Sequence, residues 1–233
     1  MNVLMPVLMV LFVGGMFALV ITMFVRARRS QARGVEGRVA AIQLAEERGW
    51  SYQQATYGVI DRLCGMAPLP VRGTNLQGRY YITGEFRGRG FCLFEYTTGT
   101  NGVDDDLGKQ VVYWTVFAVT APGSGPELVV RRPQALDGMT QRGRVVQLGV
   151  PEFDEAFRVI TDDEPFARNA LTGGVAPFLS TDPRAGKDAP IRLHNDELVT
   201  WYRGRLSPQG IDERLNYLCD VLDRIPPQVW STV

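Results

Sequence analysis

Residues 79–98 read RYYITGEFRGRGFCLFEYTT, and this stretch decides the fold. Apolar and polar side chains alternate along Arg79–Phe86 and again along Gly90–Thr98. A period of two predicts β-strands, because successive side chains of a strand point to opposite faces of the sheet. The Arg87-Gly88-Arg89-Gly90 turn between the two stretches predicts that they pair as an antiparallel hairpin.

The same alternation continues towards the C-terminus, with Val, Tyr, Phe and Thr enriched and turn residues in between. Further strands are predicted over Val111–Ala121, Glu127–Arg131, Arg144–Leu148, Phe153–Thr161, Ile191–His194 and Glu197–Tyr202. We interpret Thr97–Lys109 as a long polar hairpin loop and Asn195-Asp196 as a primed turn. The strands together predict an antiparallel meander.

Helical patterns flank these strands. Val35–Arg48 is predicted as a helix that stops at Gly49, and Gly58–Cys64 as a short helix. Asp163 is predicted to cap a third helix that Gly173-Gly174 ends, before a short apolar piece at Val175–Leu179. Ser207 and Pro208 begin the last helix, whose apolar stripe comprises Ile211, Leu215, Leu218, Leu222 and Ile225. A parallel sheet would need a helix after each strand, so the fold class is α+β, with helices covering one side of the sheet.

The 233 residues are 45% apolar and carry 25 basic and 25 acidic side chains. This composition excludes a disordered chain and a polytopic membrane protein. The charge is uneven, because five arginines and one glutamate lie between residues 26 and 38. The remaining body is acidic, which argues against a nucleic-acid partner, since phosphate binding needs a basic face.

Residues 1–25 carry no charge, and Val3–Val25 is a continuous apolar run. A helix of that length reaches about 34 Å, enough to cross a hydrocarbon core of about 30 Å. We expect a retained membrane anchor at residues 1–25, a basic linker at 26–34 and a cytoplasmic α+β domain at 35–233. The flanking arginines place the N-terminus outside and the domain in the cytoplasm. A cleaved signal or a buried core helix is the alternative for this run.

Several stretches resemble an uncharacterised bacterial, largely actinobacterial, membrane-anchored family known only as a domain of unknown function. They are residues 44–52 (LAEERGWSY), 90–96 (GFCLFEY), 153–171 (FDEAFRVITDDEPFARNAL) and 225–230 (IPPQVW). The resemblance covers most of residues 40–230 and departs from the family pattern at Gly173-Gly174. It implies a fold and a membrane location, and it supplies no catalytic residues.

Candidate residues for chemistry are few, and each has a structural alternative. His194, the only histidine, lies beside Asn195, Asp196 and Glu197 and could act as a general base oriented by a carboxylate, although a lone histidine in a turn is usually structural.

Other candidates have the same ambiguity. Asp104-Asp105-Asp106 could hold a cation or form a solvated loop tip, and Arg87-Gly88-Arg89 could clamp a phosphate or simply connect strands. Asp162-Asp163-Glu164 is acidic enough for catalysis, yet a helix cap explains Asp163 and the helix dipole explains Glu164. The C-terminal Ser231-Thr232-Val233 resembles a ligand for strand addition.

The cysteines Cys64, Cys92 and Cys219 are scattered without C-x-x-C spacing, which suits a reducing compartment and buried thiols. We therefore assign no catalytic residue, cofactor or metal from the sequence. Two classes of function remain: a membrane-tethered interaction or scaffold module with a membrane-protein partner, and a small-ligand sensor or hydrolase with a dispersed site. A deep polar pocket joining His194 to two carboxylates would favour the second, and an exposed apolar patch would favour the first.

Overall fold

Seven antiparallel strands form one sheet in the computed structural model, which describes residues 35–65, 68–70, 72–99, 111–134, 143–186 and 189–231. The strands are β1 (Ser51–Tyr57), β2 (Gln77–Phe86), β3 (Arg89–Gly99), β4 (Val111–Arg131), β5 (Val145–Val146), β6 (Arg158–Thr161) and β7 (Ile191–Arg203). The first four follow one another in space as a meander, as the alternating pattern predicts. The α+β class is confirmed.

Strand β4 organises the sheet because it is 21 residues long and pairs along both edges. Its first half lies between β3 and β7, and its last residues lie between β6 and β7. The two strands predicted over 111–121 and 127–131 are therefore one strand. Prolines and glycines at 122–126 make an irregularity in the pairing rather than a turn.

Strand β7 is also continuous, so the predicted hairpin around Asn195-Asp196 is wrong. Asn195 has a φ of 54° and pairs with Gly125 of β4, where the register of the two strands shifts. Two turn-like sequences lie opposite each other, and their bulges bend both strands together instead of ending either.

Helical segments account for most of the other described residues. They are α1 (35–47), a 3-10 turn (Val59–Leu63), α2 (Pro151–Ala156), α3 (Glu164–Leu171), α4 (Val175–Thr181), α5 (Pro208–Leu222) and a C-terminal 3-10 turn (Pro227–Ser231). The predicted caps are confirmed: the Phe166 amide donates to the Asp163 side chain, and the Gly210 amide donates to Ser207.

The strand predicted over Phe153–Thr161 is wrong in its first half, which is α2. Pro151 occupies the first turn, and the Asp154 carboxylate accepts hydrogen bonds from the amides of Leu148, Gly149 and Val150. These bonds hold the chain that enters the helix, so α2 forms despite its alternating apolar residues. The predicted strand Arg144–Leu148 shrinks to the two residues of β5.

The sheet separates two cores. The larger lies on what we call the helix-covered face, where Ile211, Leu215, Leu218 and Leu222 of α5 are buried against β4 and β7. The smaller lies on the opposite face, where Ile60 and Leu63 of the first 3-10 turn cover Phe94 and Val116.

The predicted anchor Val3–Val25 and the linker lie outside the described residues. Among the described residues, no helix combines the length and the apolar composition that a bilayer crossing requires.

Candidate functional site

His194 lies at the centre of a polar cluster on the opposite face, at the bend of β7. Its Nδ1 lies 3.1 Å from Nη2 of Arg192 and 3.6 Å from Oε2 of Glu127. Since a guanidinium can only donate, Nδ1 accepts this hydrogen bond and the imidazole is neutral there. Burial and the charge of Arg192 lower the pKa of His194, and Glu127 acts in the opposite direction.

Arg192 is the largest fully buried side chain among the described residues, and its hydrogen bonds explain why. Nε donates to Glu127 at 3.1 Å, Nη1 to the Leu63 carbonyl at 2.7 Å and Nη2 to the Cys64 carbonyl at 3.0 Å. A Cβ at Gly65, whose φ is 127°, would lie 2.6 Å from Nη2. Glycine is therefore required where the 3-10 turn passes the guanidinium.

A second ion pair fastens the same turn to the bend of β7. Arg62 donates from Nε and Nη2 to the Glu197 carboxylate, each at 2.9 Å, and Nη2 also lies 3.3 Å from Sγ of Cys92. Burial raises the pKa of Cys92 to about 11, so this sulfur is a thiol and not a nucleophilic thiolate at neutral pH. We call these residues the clamp: Arg62, Glu127, Arg192, His194 and Glu197.

The clamp fixes the 3-10 turn over the smaller core, and its polar groups are paired with one another or with backbone carbonyls. A general base needs a free acceptor aimed at a substrate proton, whereas Nδ1 of His194 is occupied by Arg192. His194 and Glu197 stand out in the sequence. Arg62, Glu127 and Arg192 do not, because the fold brings them in from the 3-10 turn, from β4 and from an earlier position in β7.

The Arg87-Gly88-Arg89 turn is paired internally as well. Arg87 and Gly88 have φ values of 52° and 74°, as a primed hairpin turn requires. Arg87 binds Asp220 and Asp223 at 2.7 Å each, and Arg89 binds Asp223 at 2.8 Å. Both guanidiniums therefore fasten the hairpin to α5, which leaves neither as an open phosphate fork.

The acidic run at 162–164 belongs to helix α3. Asp163 caps the helix, while Glu164 pairs with Arg168 at 2.8 Å and with Arg144 at 3.1 Å. No group of three or more His, Cys, Asp or Glu side chains among the described residues could hold a metal. Asp104–Asp106 and the end of the predicted C-terminal motif, Thr232 and Val233, lie outside the described residues.

A buried ion pair that sequence analysis missed fixes α1 to the sheet. Glu95 is 1% exposed and accepts from Nε of Arg38 at 2.9 and 3.1 Å, from Nη2 of Arg38, and from the Leu206 amide at 2.8 Å. The signal was present, because Glu95 is the one charged residue in the apolar run FCLFEY. Arg38 is also the last arginine of the basic stretch, and its partner cannot be deduced from sequence.

Exposed apolar side chains gather at one end of the sheet, which we call the proximal end because α1 begins there. Register places the end of β1 level with the start of β2, the end of β3 and the start of β4. Of the six large apolar side chains that are most exposed among the described residues, five lie at this end: Val35, Val39, Tyr57, Val59 and Val111. Such clustering marks an interaction surface more than scattered exposure does.

Three surface clefts contain neither His194 nor the proximal end. The largest, about 660 Å³, lies beside β5 and α2 between Val145, Asp154 and Arg158. The second, about 590 Å³, lies between Trp50, Arg87 and Asp212. The third, about 500 Å³, lies between Arg144 and Glu164. In the first cleft, Asp154 accepts from backbone amides and Arg158 donates to the carbonyls of Asp154 and Phe157. In the third cleft, Arg144 and Glu164 form the ion pair described above.

Comparison with known proteins adds a fold relationship. No family model and no curated protein matches this chain. The crystal structure of the mycobacterial trehalose monomycolate transport factor A, TtfA, is similar, with a TM-score of 0.52 and 16% sequence identity. The match covers 82% of this chain and 96% of that chain. At this identity it concerns the fold alone, and the mycobacterial source agrees with the actinobacterial resemblance of the sequence.

Proposed function

We propose that this protein is a membrane-tethered accessory factor whose cytoplasmic domain binds protein partners of an envelope lipid transport system and catalyses no reaction. The observation that carries the proposal is the fold match to TtfA, which extends over 96% of that chain. TtfA is described as a trehalose monomycolate transport factor, so the partner class is a membrane protein that moves a glycolipid.

The internal pairing of the polar clusters supports a binding role over the sensor or hydrolase alternative. His194, the candidate general base of the sequence, contacts one carboxylate and a buried guanidinium. The exposed apolar side chains instead gather at the proximal end, where a partner or a surface can cover them.

The tether rests on the sequence of Val3–Val25 and on the arginines that follow it. With Lys and Arg retained on the cytoplasmic side, the domain lies in the cytoplasm and the N-terminus outside. Val35 is only nine residues beyond Arg26, and Arg38 is locked to Glu95. The tether therefore reaches a helix that is fixed to the sheet.

Membrane topology is tested on the full chain with two C-terminal reporters, one active only in the cytoplasm and one active only outside it. We expect activity of the first alone, and retention of the protein in membranes after carbonate washing. Extraction by carbonate, or activity of the external reporter, would contradict the tether.

Transport function is tested by depleting the protein in the organism that encodes it and pulse-labelling its glycolipids. We expect newly made glycolipid to accumulate before export, and full-length protein to restore export. Replacing residues 1–25 by an unrelated single span with the same orientation should also restore it, whereas residues 35–233 alone should not.

A matched His194→Gln variant should restore export fully, since no catalysis is assigned to the imidazole. Loss of export in a folded His194→Gln variant would favour an enzyme.

A further inference from the structure

We infer that the proximal end docks on the anionic cytoplasmic surface of the bilayer, so that the domain lies against the membrane in a fixed orientation. This inference rests on the proposed tethered function and specifies which surface faces the lipid. Apolar side chains at the proximal end would enter the headgroup region, while nearby arginines bind lipid phosphates. Monotopic surfaces combine these two features, with apolar groups buried about 5–10 Å into the interface.

The apolar contribution comes from side chains that the fold leaves open to solvent. Val35 and Val39 are 56% and 50% exposed and lie four residues apart, on one side of α1. Tyr57 is 59% exposed at the end of β1, and Val111 is 47% exposed at the start of β4. An exposed aromatic ring with a hydroxyl is well suited to the interface between lipid and water.

Arginines at the two ends of the sheet differ in their pairing. At the far end, Arg48 and Arg87 bind carboxylates of α5, and Arg89 binds Asp223, which follows its last residue. At the proximal end, Arg38 pairs with Glu95, but Arg79 and Arg203 are exposed.

Arg79 of β2 is the register partner of Glu95 in β3, and Arg203 of β7 is the register partner of Trp114 in β4. Both arginines therefore lie towards the proximal end of the sheet. Arg205 lies beside them, with its Cζ 4.4 Å from the centre of the Tyr113 ring. No carboxylate within the described parts of the chain forms an ion pair with Arg79, Arg203 or Arg205, so their charges are available to lipid phosphates.

Acidic groups at this end bear on how strongly it docks. Glu36 is exposed on α1, whereas the Asp61 carboxylate accepts from the amides of Asn75 and Leu76. The exposed Glu36 carboxylate would repel lipid phosphates, so Glu36→Gln should strengthen docking.

Chain length limits how far the proximal end can lie from the membrane. Nine residues, 26–34, separate the apolar run from the first described residue of α1. Even fully extended, they span at most about 32 Å. The start of α1 therefore lies within about 32 Å of the bilayer surface whenever Val3–Val25 crosses the membrane.

The experiment places a fluorophore at either end of the full chain in vesicles of phosphatidylethanolamine and phosphatidylglycerol. An environment-sensitive NBD group is attached through Val39→Cys, Val111→Cys or the control Glu85→Cys, in a Cys64→Ala background. Glu85 lies about 26 Å from the proximal end along β2. We expect headgroup-spin-labelled lipid to quench most of the emission at positions 39 and 111 and none at 85.

Two sets of variants separate the contribution of the arginines from that of the apolar side chains. Arg79→Gln, Arg203→Gln and Arg205→Gln together should reduce quenching at position 39, and Val35→Ser with Val39→Ser should reduce it at position 111. Glu36→Gln should increase quenching at both positions. Equal quenching at positions 39, 111 and 85 would overturn the inference.

Retention of the chain after carbonate washing is measured on the same vesicles once quenching has been read. Loss of the chain would refute the tether, whereas retention without quenching at the proximal end would refute docking alone. If these positions are unquenched in lipid vesicles but shielded from aqueous iodide in native membranes, the surface binds a protein and the bilayer assignment is wrong.

Discussion

The guanidinium of Arg38 forms a bidentate ion pair with the carboxylate of Glu95, whose side chain is 1% exposed. The pair joins the first helix after the basic linker to the third strand of the sheet. Glu95 also accepts from the Leu206 amide, at the loop that leads into α5. One buried carboxylate thus connects α1, β3 and the start of α5, and orients the helix through which a tether would act.

Removing one partner of this pair should be strongly destabilising. Arg38→Leu leaves a buried, uncompensated carboxylate, which costs about 3–5 kcal/mol in a protein interior. Combining it with Glu95→Gln removes the charge while an amide oxygen still accepts from Leu206, so the double variant should recover most of the loss. Urea unfolding of the full chain in mild detergent, followed by tryptophan fluorescence, measures both.

Arg48 provides the control for this comparison. It lies just beyond the same helix and pairs with Asp212, but these side chains are 33% and 45% exposed. Arg48→Leu should cost only about 0.2–1 kcal/mol, because water screens exposed pairs. Similar losses for Arg38→Leu and Arg48→Leu would show that the Glu95 pair is not buried as described.

The apolar stripe of α5 should be the most sensitive surface of the helical layer. Leu218 is 0% exposed in the larger core. Leu218→Asp should lower the free energy of unfolding by several kcal/mol, on the order of 3–5, because a carboxylate there has no partner. Gln209→Asp, at an exposed position in the first turn of the same helix, should change little. An unaltered urea midpoint for Leu218→Asp would mean that α5 is not docked on the sheet.

Local chemistry predicts the well-patterned elements of this protein. The α5 stripe, the Ser207 and Asp163 caps and the β2–β3 hairpin depend on neighbours within a few residues, and all are found as predicted. The Pro-Gly segment of β4 and Asn195 of β7 look like turns in isolation. They become paired bulges only because the fold sets them opposite each other.

The candidate site was harder to predict for the same reason. His194 stands out as the only histidine, yet its role is set by Arg192 and Glu127, and Glu127 comes from another strand. The alternating pattern of β7 does not reveal that Arg192 is fully buried. Its burial depends on hydrogen bonds to the Leu63 and Cys64 carbonyls, about 130 residues earlier in the chain.

The lowered pKa of His194 predicts a pH dependence of stability. Because the folded state holds the imidazole neutral, its pKa lies below that of the unfolded chain, about 6.5. The unfolded state then binds more protons. The stabilisation that the neutral imidazole provides is therefore complete above about pH 6.5 and is lost as the pH falls towards the pKa of the folded state. Stability should therefore decrease between pH 7.5 and 5.5.

His194→Gln tests the assignment, since its amide oxygen can accept from Arg192 without titrating. We expect the urea midpoint of this variant to vary less over that pH range than the midpoint of the parent. Carboxylates titrate mainly below this range, so they add little to the difference. Parallel pH profiles for the two proteins would exclude His194 as the source.

The C-terminal tail should contribute to stability because it is packed on the domain. Val229 is 6% exposed, and Trp230 lies half-buried against the larger core. The tail is favoured to dock on the domain rather than to act as a free membrane hook, because Pro226 and Pro227 stiffen the approach to Trp230. Its anchor point is the irregular part of β4, where a Cβ at Gly123 would lie 3.1 Å from Cβ of Trp230.

Truncation after Arg224 should therefore lower the melting temperature, since it removes the buried Ile225 and Val229 as well as the indole. Trp230→Ala alone should cost about 1–2 kcal/mol, less than a fully buried tryptophan, because the ring is only partly buried. Gly123→Ala should also lower stability through steric contact with Cβ of Trp230, and that loss should shrink in the chain truncated after Arg224, which lacks this atom. A truncated chain that melts like the parent would favour the free hook, because the tail would then add nothing to the folded domain.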